Sequence, residues 1–223
     1  MEFKDQPNIL KRRIIWINSI LSWLGRPKIE NIQKQKRAVV TYLNETEFKQ
    51  LCLTIDNREI RNICVIAFYT GLRLGEIFGL NQKSIKEDRL QIDSQMYDKR
   101  RNYKIDTTKT DSERDVIFPD MARDIVQWFI DLPLSEKKRL RDIQYCKLVK
   151  KKCNKIWPSD PEKNCNFHSL RHSNAIWLLQ KKATLHEVAQ HLGNLIEVTE
   201  RYYSGFVLRK ESVERLNGLI NGA

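Results

Sequence analysis

Ile60, Ile63, Cys64, Ala67, Phe68 and Gly71 fall at i, i+3, i+4, i+7, i+8 and i+11. That spacing lines one face of an α-helix, and a face so continuous must be covered by the rest of a core. Gly71 breaks the helix, and Arg73 to Leu80 forms another short one. Upstream, Asn44 with Glu47 three residues on has the form of a capping box, opening a helix near residues 45–54. Further helices are predicted over about 120–131, 135–156, 169–181, 184–192, 197–204 and 209–220. Residues 84–118 change character: Arg89 to Asp93, Tyr103 to Ile105 and Arg114 to Phe118 alternate between polar turns, which predicts a small antiparallel sheet closed by Pro119. The fold class is therefore mainly α with one small antiparallel β-sheet, an α+β arrangement.

Leu10, Ile14, Ile17, Leu21 and Leu24 make one stripe of a helix over residues 9–24, widened by Trp16, Ile20 and Trp23, and Gly25-Arg26-Pro27 ends it. Residues 28–38 are polar and basic with little periodicity. The expected division is an amino-terminal helix and basic linker, 1–38, followed by a main domain, 39–223. The apolar run from Ile14 to Leu24 is too short to cross a bilayer and is interrupted by Asn18 and Ser19, so no membrane partner is expected. Hydrophobic content of 41%, with only 8 Gly and 6 Pro, marks a folded globule. Against 28 Asp and Glu stand 40 Lys and Arg, a formal charge of +12 that attracts polyanions, nucleic acid foremost. Five cysteines, an odd number with no Cys-x-x-Cys, argue against a disulfide framework or a zinc site. Cys64, on the apolar face, reads as a buried free thiol. A reducing, cytoplasmic setting is expected.

Chemistry is concentrated in two short strings. Thr-Gly-Leu-Arg-Leu-Gly-Glu at 70–76 supplies Arg73; His168-Ser-Leu-Arg171-His172 is followed by His191-Leu-Gly-Asn194 and Tyr202-Tyr203. Breaking a phosphodiester without a metal requires guanidinium groups for the non-bridging oxygens, an in-line nucleophile and a proton for the leaving alkoxide. Tyrosine can attack, but its free pKa near 10 leaves little phenolate at neutral pH. His168 and Arg171, with Ser169 as N-cap between them, would open a helix and project to one side, where a helix N-terminus favours an anion. The plainer account is that Arg171 pairs with a carboxylate and His168 caps a helix. His168 and His172 have zinc spacing, but the intervening Ser-Leu-Arg lacks the glutamate of His-Glu-x-x-His.

The string Thr70-Gly-Leu-Arg73-Leu-Gly-Glu76-Ile-Phe-Gly-Leu80 resembles the first arginine motif of the tyrosine recombinases, the phage integrase family. Thr108-Lys109-Thr110 resembles that family's β-hairpin lysine segment, and His168-Ser-Leu-Arg171-His172-Ser-Asn-Ala175 its His-x-x-Arg box. Val188-Ala-Gln-His191-Leu-Gly-Asn194 resembles the stretch that usually ends Leu-Gly-His, and Tyr203, nine residues beyond Asn194, stands at the nucleophile's offset. The resemblance covers about residues 39–220 and implies a tyrosine recombinase catalytic-domain fold. It implies that Arg73 and Arg171 clamp a scissile phosphate, Lys109 protonates the leaving 5′ oxygen, His168 assists proton transfer, and Tyr203 forms a 3′-phosphotyrosyl link. Neither a cofactor nor a metal is implied. Glu76 would support Arg73, Tyr202 would pack, and His172 would pack behind the box. Asn194 departs from the family's histidine; it can donate a hydrogen bond but carries no charge, and His191, one turn earlier, is the alternative. The family's amino-terminal DNA-clamping domain is nearly absent; only the 9–24 helix and linker resemble its end.

These residues lead to an expected site-specific recombinase or integrase acting on double-stranded DNA for a mobile element. It would be monomeric when free and would assemble as a homotetramer on DNA through a final helix bearing Val213, Leu216, Leu219 and Ile220. Two other readings share the sequence: a DNA-binding regulator that has lost the chemistry, and a type IB topoisomerase-like relaxing enzyme. Trp128 and Phe129 fit a core face with Met121, Ile125 and Leu132, and Trp157 also reads as core. The nine basic residues from Lys137 to Lys155 read as a solvated helix face, while Lys99 to Arg101 and Lys150 to Lys152 could touch DNA phosphates.

Overall fold

The structure, a computed structural model, describes residues 7–29, 40–99, 102–107 and 113–207. The chain divides into two compact units, Met1–Ala38 and Val39–Ala223. In the first, α1 (Pro7–Trp23) is followed by a segment fastened through Asn18, whose Oδ1 accepts from the Ile29 amide at 2.8 Å while its Nδ2 donates to the Ile29 carbonyl at 3.3 Å. Of the predicted linker, residues 30–38 lie outside the described residues.

In the second unit, α2 (Glu45–Leu53) opens with the expected capping box: Asn44 Oδ1 accepts from the Glu47 amide at 2.9 Å, and Glu47 Oε2 from the Asn44 amide at 2.8 Å. The core helix, α3 (Arg58–Thr70), is capped by Asn57 and buries Ile63, Cys64, Ala67 and Phe68. Phe48 of α2 stacks on Phe68 at 4.0 Å, which joins the two helices. Gly71 ends α3 at φ +65°, and an added Cβ would lie 2.5 Å from Asn174 Oδ1 and 2.7 Å from Leu192 Cδ2. Both the left-handed turn and this close approach require glycine. A short helix, α4 (Leu74–Gly79), follows at once.

The β region corrects the expectation of one small sheet. It holds two separate antiparallel pairs, nested: β1 (Leu90–Ile92) pairs with β4 (Arg114–Val116), and between them β2 (Ser94–Lys99) pairs with β3 (Asn102–Thr107). Strand β2 escaped prediction because its residues, Ser-Gln-Met-Tyr-Asp-Lys, give little apolar alternation; Met96 is its buried anchor.

A 3₁₀ turn at Asp120–Ala122 leads into α5 (Arg123–Asp131). Phe129 is fully buried as expected, but Met121 is 62% exposed and stands off the core face assigned to it. The single helix predicted over 135–156 is two, α6 (Leu134–Arg141) and α7 (Tyr145–Ile156). At the break the Tyr145 ring enters the core and its hydroxyl donates to the Leu140 carbonyl at 3.0 Å. A run of charged residues on both sides hid the interruption from a periodicity argument. Lys137 also leaves the proposed solvated face: it is buried, and its ammonium donates to the carbonyls of Leu80 at 2.9 Å and Ile130 at 3.1 Å, where α4 and α5 end.

Next come α8 (Phe167–Gln180), α9 (Leu185–Leu192) and α10 (Ile196–Tyr203). The N-cap of α8 is Asn166 rather than Ser169: Asn166 Oδ1 accepts from the amides of His168 at 2.8 Å and Ser169 at 3.3 Å, and Ser169 Oγ accepts in turn from the Asn166 amide at 3.1 Å. Helix α8 is enclosed on most sides; among its buried polar residues Ser173 Oγ accepts from the Leu43 amide at 2.9 Å, and Asn174 Nδ2 donates to the Phe68 carbonyl at 2.9 Å. One large apolar cluster runs from α2 to the start of α8. A smaller one, Ala175, Ile176, Leu179, Val188, Leu192 and Tyr203, knits α8, α9 and α10 together. The predicted 209–220 helix lies outside the described residues. Among the described residues no helix is long and apolar enough to cross a membrane.

Candidate active site

The glycine turn after α3 delivers Arg73 to the N-cap position of α4, with its side chain 44% exposed. One turn on, the buried Glu76 carboxylate accepts from the Arg73 amide at 2.8 Å and from Arg73 Nη1 at 2.7 Å. The same carboxylate is gripped by Arg114 at the start of β4, through Nη2 at 2.7 Å and Nη1 at 3.3 Å. Arg114 Nε donates in turn to the His191 carbonyl at 3.0 Å, linking β4 to α9. Burial alone would raise the Glu76 carboxyl, but the hydrogen bond and charge of Arg114, the Arg73 amide and the charge of Arg171 outweigh it and hold it below its ordinary value. Glu76 thus stays an anion and fixes Arg73.

Arg171 reaches the same place from α8. Its side chain is 4% exposed; Nη1 donates to the Gly71 carbonyl at 2.7 Å and Nη2 to the Leu192 carbonyl at 2.5 Å. Burial and then the charge of Arg73 push its guanidinium down to about 9, still charged at neutral pH. Helix α9 ends at Gly193, φ +62°, packed so closely on Arg114 that a Cβ would lie 2.9 Å from its Cδ. That turn throws Asn194 between the arginines, where its Oδ1 accepts from Arg73 Nη2 at 3.1 Å and Arg171 Nη2 at 2.9 Å. Residues 121 and 23 positions from Asn194 therefore meet on one oxygen atom. His191 turns away: its Nε2 lies 3.1 Å from the Thr70 carbonyl, and burial with the charge of Arg114 pushes the imidazole down to about 4.

His168, in the first turn of α8, is exposed, and shielding of its ring followed by the charges of Arg171 and Arg73 lowers its pKa. Its ring meets that of His172 edge-on, centroids 5.2 Å apart. His172 does not simply pack: its Nδ1 lies 2.6 Å from the Tyr203 hydroxyl. Of the two tyrosines, Tyr203 is 2% exposed, while Tyr202, expected to pack, is 37% exposed. Burial pushes the Tyr203 phenol up to about 12, against the opposing pull of Arg171. Lys109 lies outside the described residues, between β3 and β4.

The Phage integrase family profile matches residues 41–206. The chain belongs to the phage integrase family. None of the curated proteins searched matches it. Among solved structures, this phage integrase family chain is similar to the Tn1549 transposon integrase in complex with transposon right end DNA, with a TM-score of 0.71 and 15% identity over 96% of this chain and 80% of that one. It is also similar to XerA recombinase, TM-score 0.52 and 17% identity over 96% and 76% of the two chains. The third is XerH recombinase bound to its palindromic difH substrate, TM-score 0.53 and 21% identity over 83% and 56%. At such identities the likeness is one of fold.

Within this phage integrase domain, five of the six residues singled out in the sequence are described: Arg73 and Arg171 both bond Asn194, and the charge of Arg171 reaches His168 and Tyr203. Sequence reasoning missed Arg114. It stands in an alternating strand where an outward arginine is unremarkable, and only the tertiary pairing aims it at Glu76.

Proposed function

We propose that this chain is the catalytic part of a site-specific DNA recombinase, cleaving and rejoining duplex DNA through a 3′-phosphotyrosyl intermediate without metal or ATP. The observation that carries the reading is the convergence of Arg73 and Arg171 on Asn194 Oδ1, which marks out a seat for the oxygen of an anion. Both guanidiniums are already held, by Glu76 and by two main-chain carbonyls, so they need little reorientation when a phosphodiester displaces the Asn194 oxygen. Asn194 would then offer its amide to a non-bridging oxygen, His168 would stand at the edge of the phosphate, and Tyr203 would supply the nucleophile. Lys109, on the segment joining β3 to β4, would protonate the leaving 5′ oxygen, as the resemblance implies. The net charge of +12 supports a DNA partner, as do the DNA complexes of the Tn1549 integrase and XerH recombinase. A role in moving a mobile element, assembly as a tetramer through residues 209–220, and descent of residues 1–38 from a DNA-clamping domain belong to the same proposal.

The test is covalent capture. The protein is incubated with a pool of nicked duplexes of randomised centre, and DNA that remains attached after denaturation is sequenced. The wild type should enrich one site in a denaturation-resistant adduct, with or without EDTA; Tyr203→Phe should give none and Tyr202→Phe should give wild-type amounts. A buried phenol with a raised pKa also suits a DNA-binding regulator. That reading predicts site enrichment by binding alone, with no adduct from any variant.

A further inference from the structure

The phenol oxygen of Tyr203 is engaged 2.6 Å from Nδ1 of His172, the residue immediately after Arg171. The contact is held from both sides. His172 sits on the same turn of α8 as Arg171, whose guanidinium is pinned by the Gly71 and Leu192 carbonyls, and Tyr203 is locked in the small apolar cluster with Ala175, Ile176, Leu179, Val188 and Leu192. A nucleophile and an imidazole at this distance have the geometry of an activated pair.

We propose that His172, rather than the first histidine of its box, is the general base that receives the Tyr203 proton when the phenol attacks phosphorus. This rests on the reading of Tyr203 as nucleophile. In the step, the Tyr203 O–H bond breaks and an N–H bond forms at His172 Nδ1. The phenol oxygen bonds to phosphorus, and the P–O5′ bond breaks with its electron pair leaving on the 5′ oxygen, which takes a proton from Lys109. Rejoining reverses each transfer, the His172 imidazolium returning its proton to the phenol.

His172 is faced by His168 and Arg171 on its own helix and by Tyr202 and Tyr203 on α10. Burial, then His168 and Arg171, push its imidazole down to about 4, so at neutral pH the ring is uncharged and can accept. Complete transfer before attack is uphill, because the phenol is pushed up to about 12. The proton therefore moves as the bond to phosphorus drains the oxygen of basicity, and the arriving phosphate offsets the cationic field that disfavours His172–H⁺. His168, exposed at the helix start, is left to contact the phosphate.

The probe is the duplex captured by the wild-type protein. His172→Asn keeps an oxygen that can accept the phenol's hydrogen bond but cannot take its proton. It should bind that duplex as the wild type does and cleave it at least about 100-fold more slowly at neutral pH. Its single-turnover rate should climb about tenfold per pH unit from about pH 6.5 to 8, below the loss of charge from Arg171 near 9, as free phenolate appears, while the wild-type rate stays nearly flat. A duplex with sulfur in place of the bridging 5′ oxygen should rescue Lys109→Ala and leave His172→Asn slow. Cleavage by His172→Asn at the wild-type rate, or slow cleavage with a flat pH profile, overturns the assignment. Histidine ¹⁵N NMR of the wild type checks it without a variant at the ring: Nδ1 of His172 should be the unprotonated nitrogen and should shift in Tyr203→Phe, and a hydrogen found on Nδ1 overturns it. If the wild type captures no duplex at all, it is the recombinase reading that fails, and this inference fails with it.

Discussion

Arg114 holds both oxygens of Glu76, and both partners are nearly out of solvent, at 8% and 3% side-chain exposure. Removing Arg114 leaves the buried Glu76 charge to Arg73 alone. Arg114→Met should therefore lower stability in urea unfolding by up to about 3 kcal/mol, the low end for a broken buried pair. It should also loosen Arg73, so that adduct formation falls further than the loss of folded protein explains. The histidines give a pH signature. His172 and His191 titrate near 4 in the folded protein against about 6.5 when free, so between those values the unfolded chain binds protons that the folded one does not. Stability should fall as pH drops from about 6.5 to about 4, by at most about 3 kcal/mol for each ring. His191→Gln, which keeps a donor for the Thr70 carbonyl, should make the urea midpoint less sensitive to pH across that window. At this scale the sequence named Arg73, Arg171, Asn194 and Tyr203 through their motif spacing. It misassigned His172 and Tyr202, because which of two adjacent side chains faces inward is decided by how α8 and α10 pack.

Two connections set where the elements deliver their side chains. At Gly71 a left-handed turn and a tight approach to Asn174 and Leu192 coincide, and the Gly71 carbonyl also receives Arg171. Gly71→Ala should destabilise the domain by more than about 1 kcal/mol and should impair cleavage even where the protein is folded, because it displaces that carbonyl. Asn44→Ala, at a cap remote from the site, should cost about 1 kcal/mol and leave the cleavage rate per folded molecule unchanged. Helix α2 was legible from its capping box and α3 from its apolar periodicity. The break between α6 and α7 and the nested strand pairs were not: one is made by a buried tyrosine inside a basic run, the other by pairing between residues that carry little apolar pattern.

For the molecule as a whole, the excess of basic residues predicts that DNA affinity falls steeply as salt rises from about 50 to 200 mM, read from a log–log plot of binding constant against salt. Arg73→Ala should reduce that slope by about one phosphate contact. The bridging position of Asn194 has a consequence of its own. Before any ligand arrives, its carbonyl already acts as a keeper across two positive poles brought from opposite ends of the chain. An incoming group has to evict this internal competitor. Monodentate anions such as chloride gain nothing from the exchange, whereas a group presenting several oxygens at once does. The paired guanidiniums should thus discriminate against simple salts and favour a group that engages both at once.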